Sequence, residues 1–141
     1  MSVLTPYSAW LGEEDYLTML IMEGEGYITT EHSRAVLQAL QAAAQLGHDV
    51  RYGELAVELG HSVGADARYA AHMIRQLRIK PGAPKPIGYF ILERGLARPT
   101  ELLEALEEQV QMGGRLGEIL IKNGCMTELQ LENVLALQRA A

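Results

Sequence analysis

The sequence predicts an all-α protein, and three observations lead to this prediction. Ala, Leu, Glu and Gln are abundant, and all four favour helices. Most apolar residues recur at intervals of three and four positions, which is the spacing of one helix face. Glycine or proline stands where each apolar stripe stops. We therefore expect an N-terminal helical subdomain over 1–80, a Pro/Gly linker over 81–85, and two tandem helical hairpins over 86–141.

Four helices are predicted before the linker. The first covers 13–24 and ends at two glycines, and the second covers 30–46 and stops before another glycine. Shorter helices are predicted over 52–59 and 65–77. The linker prediction follows from three prolines and one glycine within 80–86, because these residues break a helix.

After the linker the sequence repeats itself with a shift of 29 positions. Each copy, 86–109 and 115–138, predicts a short helix that ends at a glycine, a tight turn and a longer amphipathic helix. Pro99 suits the first position of one longer helix, and Thr127 with Gln130 predicts a capping box on the other. Packed leucines explain the apolar positions. Glycine near the start of both short helices costs about 1 kcal/mol relative to alanine, which indicates close approach of a backbone or a ligand.

The second copy carries the pattern Arg-Leu-Gly-x-x-Leu-x-x-x-Gly-x-x-x-x-x-x-Leu-x-x-x-Leu-x-x-Gln without exception, at Arg115, Leu116, Gly117, Leu120, Gly124, Leu131, Leu135 and Gln138. This pattern resembles the motif of the MshEN domain, the N-terminal domain of type II secretion and type IV pilus assembly ATPases. In that family two copies separated by five residues bind cyclic di-GMP. Residues 110–114 supply a spacer of that length. The resemblance covers 86–138 and implies a cyclic di-GMP receptor that acts on a protein partner in a secretion, pilus or motility system.

The first copy departs from the motif at its beginning. Pro86, Ile87 and Ile91 stand where the family has arginine, leucine and leucine, whereas the remaining positions match, at Gly88, Gly95, Leu102, Leu106 and Gln109. Proline offers no charge, and the neighbouring Lys85, which we expect to reach a phosphate in its place, lacks the planar fork of arginine. The family also contains domains that keep the fold without binding nucleotide.

The resemblance implies a role for each kind of motif residue. Arg115 would offer a bidentate fork to a phosphate or a guanine edge, and Gly88 and Gly117 would open helix starts to an anion. The glutamines Gln109 and Gln138 would pair with base edges. The purines would lie against the leucines of the second copy, which are Leu116, Leu120, Leu131 and Leu135.

Composition excludes several other classes of function. Twelve Lys and Arg against eighteen Asp and Glu argue against a protein that coats nucleic acid. One cysteine indicates a reducing compartment, and no apolar run approaches a membrane span, so we expect a cytoplasmic protein without membrane insertion. The absence of a P-loop and of zinc-like histidine spacing predicts a non-enzyme without cofactor or metal.

The N-terminal half leaves alternatives open. Residues 26–31 and 51–55 echo parts of the second copy, which indicates either degenerate repeats or coincidence. Residues 51–77 also fit a helix-turn-helix, and the stretch between Asp66 and Glu93 has no acid but five basic residues, Arg68, Arg75, Arg78, Lys80 and Lys85. A DNA-binding regulator and a docking module independent of nucleotide are therefore alternatives to the receptor. The oligomeric state is open and includes a homo-oligomer.

Overall fold

The computed structural model describes residues 10–79 and 84–141, and within them all regular structure is helical. The described helices are α1 (Glu13–Gly24), α2 (Thr30–Gln45), α3 (Tyr52–Glu58), α4 (Gly64–Leu77), α5 (Ile87–Arg94), α6 (Pro99–Met112), α7 (Leu116–Lys122) and α8 (Glu128–Ala140). The all-α prediction is confirmed. Each of the four helices predicted before the linker agrees with its observed bounds to within one residue.

The described chain divides into two compact units after Ile74, inside α4. We call residues 10–74 the N-terminal unit, and residues 75–79 with 84–141 the C-terminal unit. The sequence placed the boundary in the linker over 81–85, of which residues 81–83 lie outside the described residues. Lys80, part of the predicted basic island, also lies outside them.

The same turn follows each short helix in both units. A glycine with positive φ, between 65° and 78°, ends α1, α3, α5 and α7. The residue after it donates its backbone N–H to the carbonyl five positions earlier at 2.8 to 3.1 Å, the pattern of a Schellman motif. The next helix begins four residues after the glycine in all four cases, at Thr30, Gly64, Pro99 and Glu128. One type of turn thus connects α1 to α2, α3 to α4, α5 to α6 and α7 to α8.

The predicted caps of the two C-terminal hairpins are present. Pro99 occupies the first turn of α6, and Arg98 N–H donates to Glu101 Oε1 at 2.8 Å. At the start of α8, Gln130 N–H donates to Thr127 Oγ1 at 3.1 Å, while Thr127 N–H donates to Gln130 Oε1 at 2.8 Å. In this unit α6 packs against α7, and α5 packs against α8.

The N-terminal unit is organised around Tyr52 at the start of α3. Its ring is completely buried, and its hydroxyl lies 2.6 Å from Ser33 Oγ on α2, which in turn donates to the carboxylate of Glu23 on α1. The backbone N–H of Tyr52 donates to Asp15 Oδ1 on α1 at 3.0 Å. Arg51, the residue that precedes α3, makes no side-chain hydrogen bond to the start of this helix. Asp15 on α1 caps α3 in its place.

Asp15→Ala should lower the free energy of unfolding of the N-terminal unit by about 2 kcal/mol, because it leaves the buried N–H of Tyr52 without a charged acceptor. Asp15→Asn keeps an oxygen in the same place and should cost less than about 1 kcal/mol. Urea unfolding followed by the fluorescence of Trp10 measures both. Equal losses in the two variants would contradict the capping role.

Candidate functional site

The motif residues of the C-terminal unit divide into a buried and an accessible group. The side chains of Ile91 and Leu120 are completely buried, and those of Leu102 and Leu116 nearly so. These four residues form the core between the helices. The half-buried group comprises Lys85, Pro86, Ile87, Leu106, Gln109, Leu131, Leu135 and Gln138, while Gly95, Arg115 and Gly124 are exposed. Of the four leucines expected to contact purines, Leu131 and Leu135 are thus the accessible pair.

The motif glycines make room for leucine side chains of their own unit. A Cβ placed on Gly117 would collide with Leu131 Cδ1, and one placed on Gly88 would lie 3.1 Å from Leu77 Cδ2 and 3.8 Å from Leu102 Cδ2. Gly88 and Gly117 are both buried. The close approach expected from these glycines is therefore made by packed side chains, and packing alone is a sufficient reason for glycine here.

The two motif glutamines bind backbone carbonyls at equivalent places. Gln109 Nε2 donates to the carbonyl of Gly114 at 3.0 Å, and Gln138 Nε2 donates to the carbonyl of Lys85 at 3.2 Å. Gly114 immediately precedes the cap residue of α7, and Lys85 immediately precedes the cap residue of α5. Each copy of the motif thus holds the chain that leads into the short helix of the other copy. We call these two contacts the glutamine clasps.

Arg115 is the exposed cap residue of α7. Its carbonyl accepts the N–H of Ile119 at 3.1 Å, and its guanidinium makes no hydrogen bond or ion pair with the described residues. Two residues further on, the side chain of Leu131 covers Gly117. Arg115, whose guanidinium pairs with none of the described residues, thus stands two positions before the residue that the accessible Leu131 covers.

The first copy presents a different group at the same position. Pro86 is the cap residue of α5, with φ −70° and extended backbone. The ammonium of Lys85 lies 5.5 Å from the ring centre of Tyr89, within the range of a cation–π contact. The first copy thus has no cation at the cap position itself, and its ammonium comes from the preceding residue and lies beside an aromatic ring.

Two side chains of the C-terminal unit have shifted pKa values. Hydrogen bonds from Lys122 and Asn123 lower the pKa of the Glu108 carboxyl and join α6 to the end of α7. Burial, followed by the nearby Glu101 and Glu104, raises the pKa of the Cys125 thiol. A reactive cysteine requires a lowered pKa, so the surroundings of Cys125 do not activate it.

The remaining chemistry-bearing groups do not converge on a metal site. Within 10–79 and 84–141, no three His, Cys, Asp or Glu side chains lie close enough together to hold a metal ion. His32 and His61 stack with ring centres 4.2 Å apart and nearly parallel planes. None of the helices in the described part of the chain is both long and apolar enough to cross a membrane.

Residues 51–55, which echo part of the second copy in the sequence, have the register of the motif at the start of α3. Arg51 caps α3 as Arg115 caps α7, and Gly53 lies in the first turn as Gly117 does. The common turn at Gly60 supports the interpretation of this half as degenerate repeats.

Comparison with known proteins found no matching family model, and no curated protein or solved structure with significant similarity. The resemblance of 86–138 to the MshEN domain therefore stays a prediction based on the motif.

Gln138→Met should lower the free energy of unfolding by about 0.5–1.5 kcal/mol, because it removes the donor to the Lys85 carbonyl while keeping the length of the side chain. Amide hydrogen exchange in α5 and α8 should also speed up. Gln111→Met is the matched control, since Gln111 is exposed on α6 and makes no hydrogen bond with the described residues. Equal effects of the two substitutions would show that the clasp contributes nothing.

Proposed function

We propose that the protein is a non-catalytic adaptor whose C-terminal unit binds cyclic di-GMP and which acts on a protein partner of a secretion, pilus or motility system. The observation that carries the proposal is the exposed guanidinium of Arg115 at the first motif position, which pairs with none of the described residues and stands two positions before Gly117, the residue that the half-buried Leu131 covers. A ligand in which a phosphate is linked to a purine requires a cation for the phosphate and accessible apolar surface for the purine.

The glutamine clasps support a site to which both copies contribute. Cyclic di-GMP consists of two identical halves, and a symmetric ligand is best matched by two equivalent sets of groups. The clasps tie the long helix of each copy to the chain entering the other copy, at Gly114 and at Lys85. In this proposal Arg115 is the main charged contact of one half, and Lys85 takes the corresponding place for the other.

The clasps also change the role proposed for the glutamines. Because the amide of each glutamine already donates to a backbone carbonyl, Gln109 and Gln138 act by positioning the chain before Arg115 and Pro86. The oxygen of each side-chain amide is still able to accept a hydrogen bond from a base.

Arg115→Ala should weaken the binding of cyclic di-GMP by roughly a hundredfold, because the loss of a bidentate charged contact costs about 2–3 kcal/mol. Helical content should not change, since the guanidinium is exposed. Isothermal titration calorimetry measures the effect. The control is Arg94→Ala, because Arg94 is also an exposed arginine but lies at the end of the short helix α5 instead of at its start. An unchanged affinity in Arg115→Ala would remove Arg115 from the site.

Pro86→Arg should strengthen binding by about tenfold or more, because it restores the guanidinium of the motif at the cap of α5. The backbone permits the change, since Arg51 and Arg115 occupy the same cap position with extended backbone elsewhere in the chain. The measurement is the same titration, with Pro84→Arg as the control for added charge. No gain over that control would mean that the first copy does not contact the nucleotide.

A second candidate is a docking module that works without nucleotide. The engaged glutamine amides and the loss of the first arginine at Pro86 favour it, because both leave fewer groups for a nucleotide. The wild-type titration distinguishes the two functions. Absence of heat and of thermal stabilisation with saturating cyclic di-GMP would favour the docking module.

A further inference from the structure

The end of α4 differs from the other helix ends of the described chain. Every other helix that a further helix follows is ended by a glycine with positive φ, and these residues are Gly26, Gly47, Gly60, Gly95, Gly113 and Gly124. After α4 this place is taken by Arg78, with φ 54°, the one residue other than glycine with a positive φ in the described ranges. A Cβ disfavours this conformation, so glycine would end α4 with less strain than arginine does.

The fold itself gives no reason for arginine at this position. The side chain of Arg78 is exposed, and its guanidinium makes no hydrogen bond or ion pair with the residues of 10–79 and 84–141. Its backbone N–H donates to the carbonyl of Arg75 at 3.3 Å, a contact that any residue except proline can make. Residues held in such a conformation cluster at functional sites, where the strain accompanies a role in binding or switching.

The packing of α4 brings its end to the start of the first motif copy. Leu77, the neighbour of Arg78, is buried, and its Cδ2 lies 3.1 Å from the place of a Cβ on Gly88 in the first turn of α5. At the equivalent Gly117 the three nearest atoms all belong to Leu131, on the long helix of the same copy. The nearest atom to Gly88 thus comes from the helix that precedes the motif, and this contact holds residue 78 beside the start of α5.

The start of α5 is also where the first copy lacks the motif arginine. Pro86 stands two positions before Gly88, in the place that Arg115 has in the second copy. The ammonium of Lys85 lies beside the ring of Tyr89 and provides a compact charge. A guanidinium binds a phosphate or a guanine edge through two parallel hydrogen bonds, which an ammonium cannot do. A ligand with two equivalent halves would therefore meet unequal groups unless a guanidinium comes from elsewhere in the chain.

We propose that Arg78 supplies this guanidinium, so that the end of α4 completes the first half of the cyclic di-GMP site beside Lys85. The inference rests on the proposed function and adds a residue from outside the two motif copies. It also explains the strained backbone, because glycine would relieve the strain but would remove the contact with the ligand. Stability and binding should thus respond in opposite directions to substitution at position 78.

The first test is Arg78→Gly, measured by isothermal titration calorimetry with cyclic di-GMP and by thermal unfolding without ligand. The affinity should fall by about tenfold or more, because a charged hydrogen-bonding group is lost. The Tm should rise, because glycine adopts the left-handed conformation without strain. Arg94→Ala removes an exposed arginine from the far end of α5 and should leave the affinity unchanged. A fall of both affinity and Tm in Arg78→Gly would indicate a purely structural role and would overturn the inference.

The second test establishes whether Arg78 takes the place of the motif arginine. When Pro86→Arg is also present, the guanidinium at the cap of α5 makes Arg78 redundant, and the loss caused by Arg78→Gly should shrink to less than about threefold. An equal loss with and without Pro86→Arg would refute the assignment. If the wild type binds and depends on Arg115, but Arg78→Gly binds as tightly as Arg94→Ala, only this inference fails. If the wild type gives no heat, the proposed function fails, and the role of Arg78 fails with it.

Discussion

The left-handed glycine turn at the end of each short helix is the constraint on which the rest of the structure depends. At Gly26, Gly60, Gly95 and Gly124 the backbone has a positive φ that residues with a Cβ rarely adopt. Because the turn fixes where the next helix begins, it also fixes which residue of the long helix faces which residue of the short one. The contact between Leu131 and the first turn of α7 follows from this register. The position of each motif glutamine near the end of its long helix also follows from this register.

The fold could be predicted largely because its signals are local. Thr127 and Gln130 are three residues apart, and Pro99 is the first residue of α6 after the turn at Gly95. A few neighbouring residues are therefore enough to predict where each of these helices begins. The role of Gln138 could not be predicted in this way, because its acceptor, the carbonyl of Lys85, lies 53 positions earlier. A glutamine at a fixed register is compatible with a base contact, with solvent and with a backbone carbonyl. Only the packing of α8 against α5 distinguishes them.

The same argument applies to the packing beside Gly53. Ala67 is an ordinary helix residue, and its place beside Gly53 is apparent only in the folded unit. The start of the short helix is arranged differently in the two units. At α7 the side chain of Leu131 covers Gly117, and the guanidinium of Arg115 pairs with none of the described residues. At α3 the smaller Ala67 and Thr18 lie beside Gly53, and Arg51 is paired with Glu14.

The clasp between Gln138 and Lys85 has a consequence for the topology of the C-terminal unit. With the amide nitrogen and the carbonyl oxygen 3.2 Å apart, the entry into α5 and the last turns of α8 are neighbours in space. The order of the two hairpins along the chain is then not essential to their packing. We therefore expect a circular permutant that joins α8 to α5 by a short linker, and opens the chain between Gly113 and Gly114, to keep the four helices α5 to α8 and the clasp between Gln138 and Lys85.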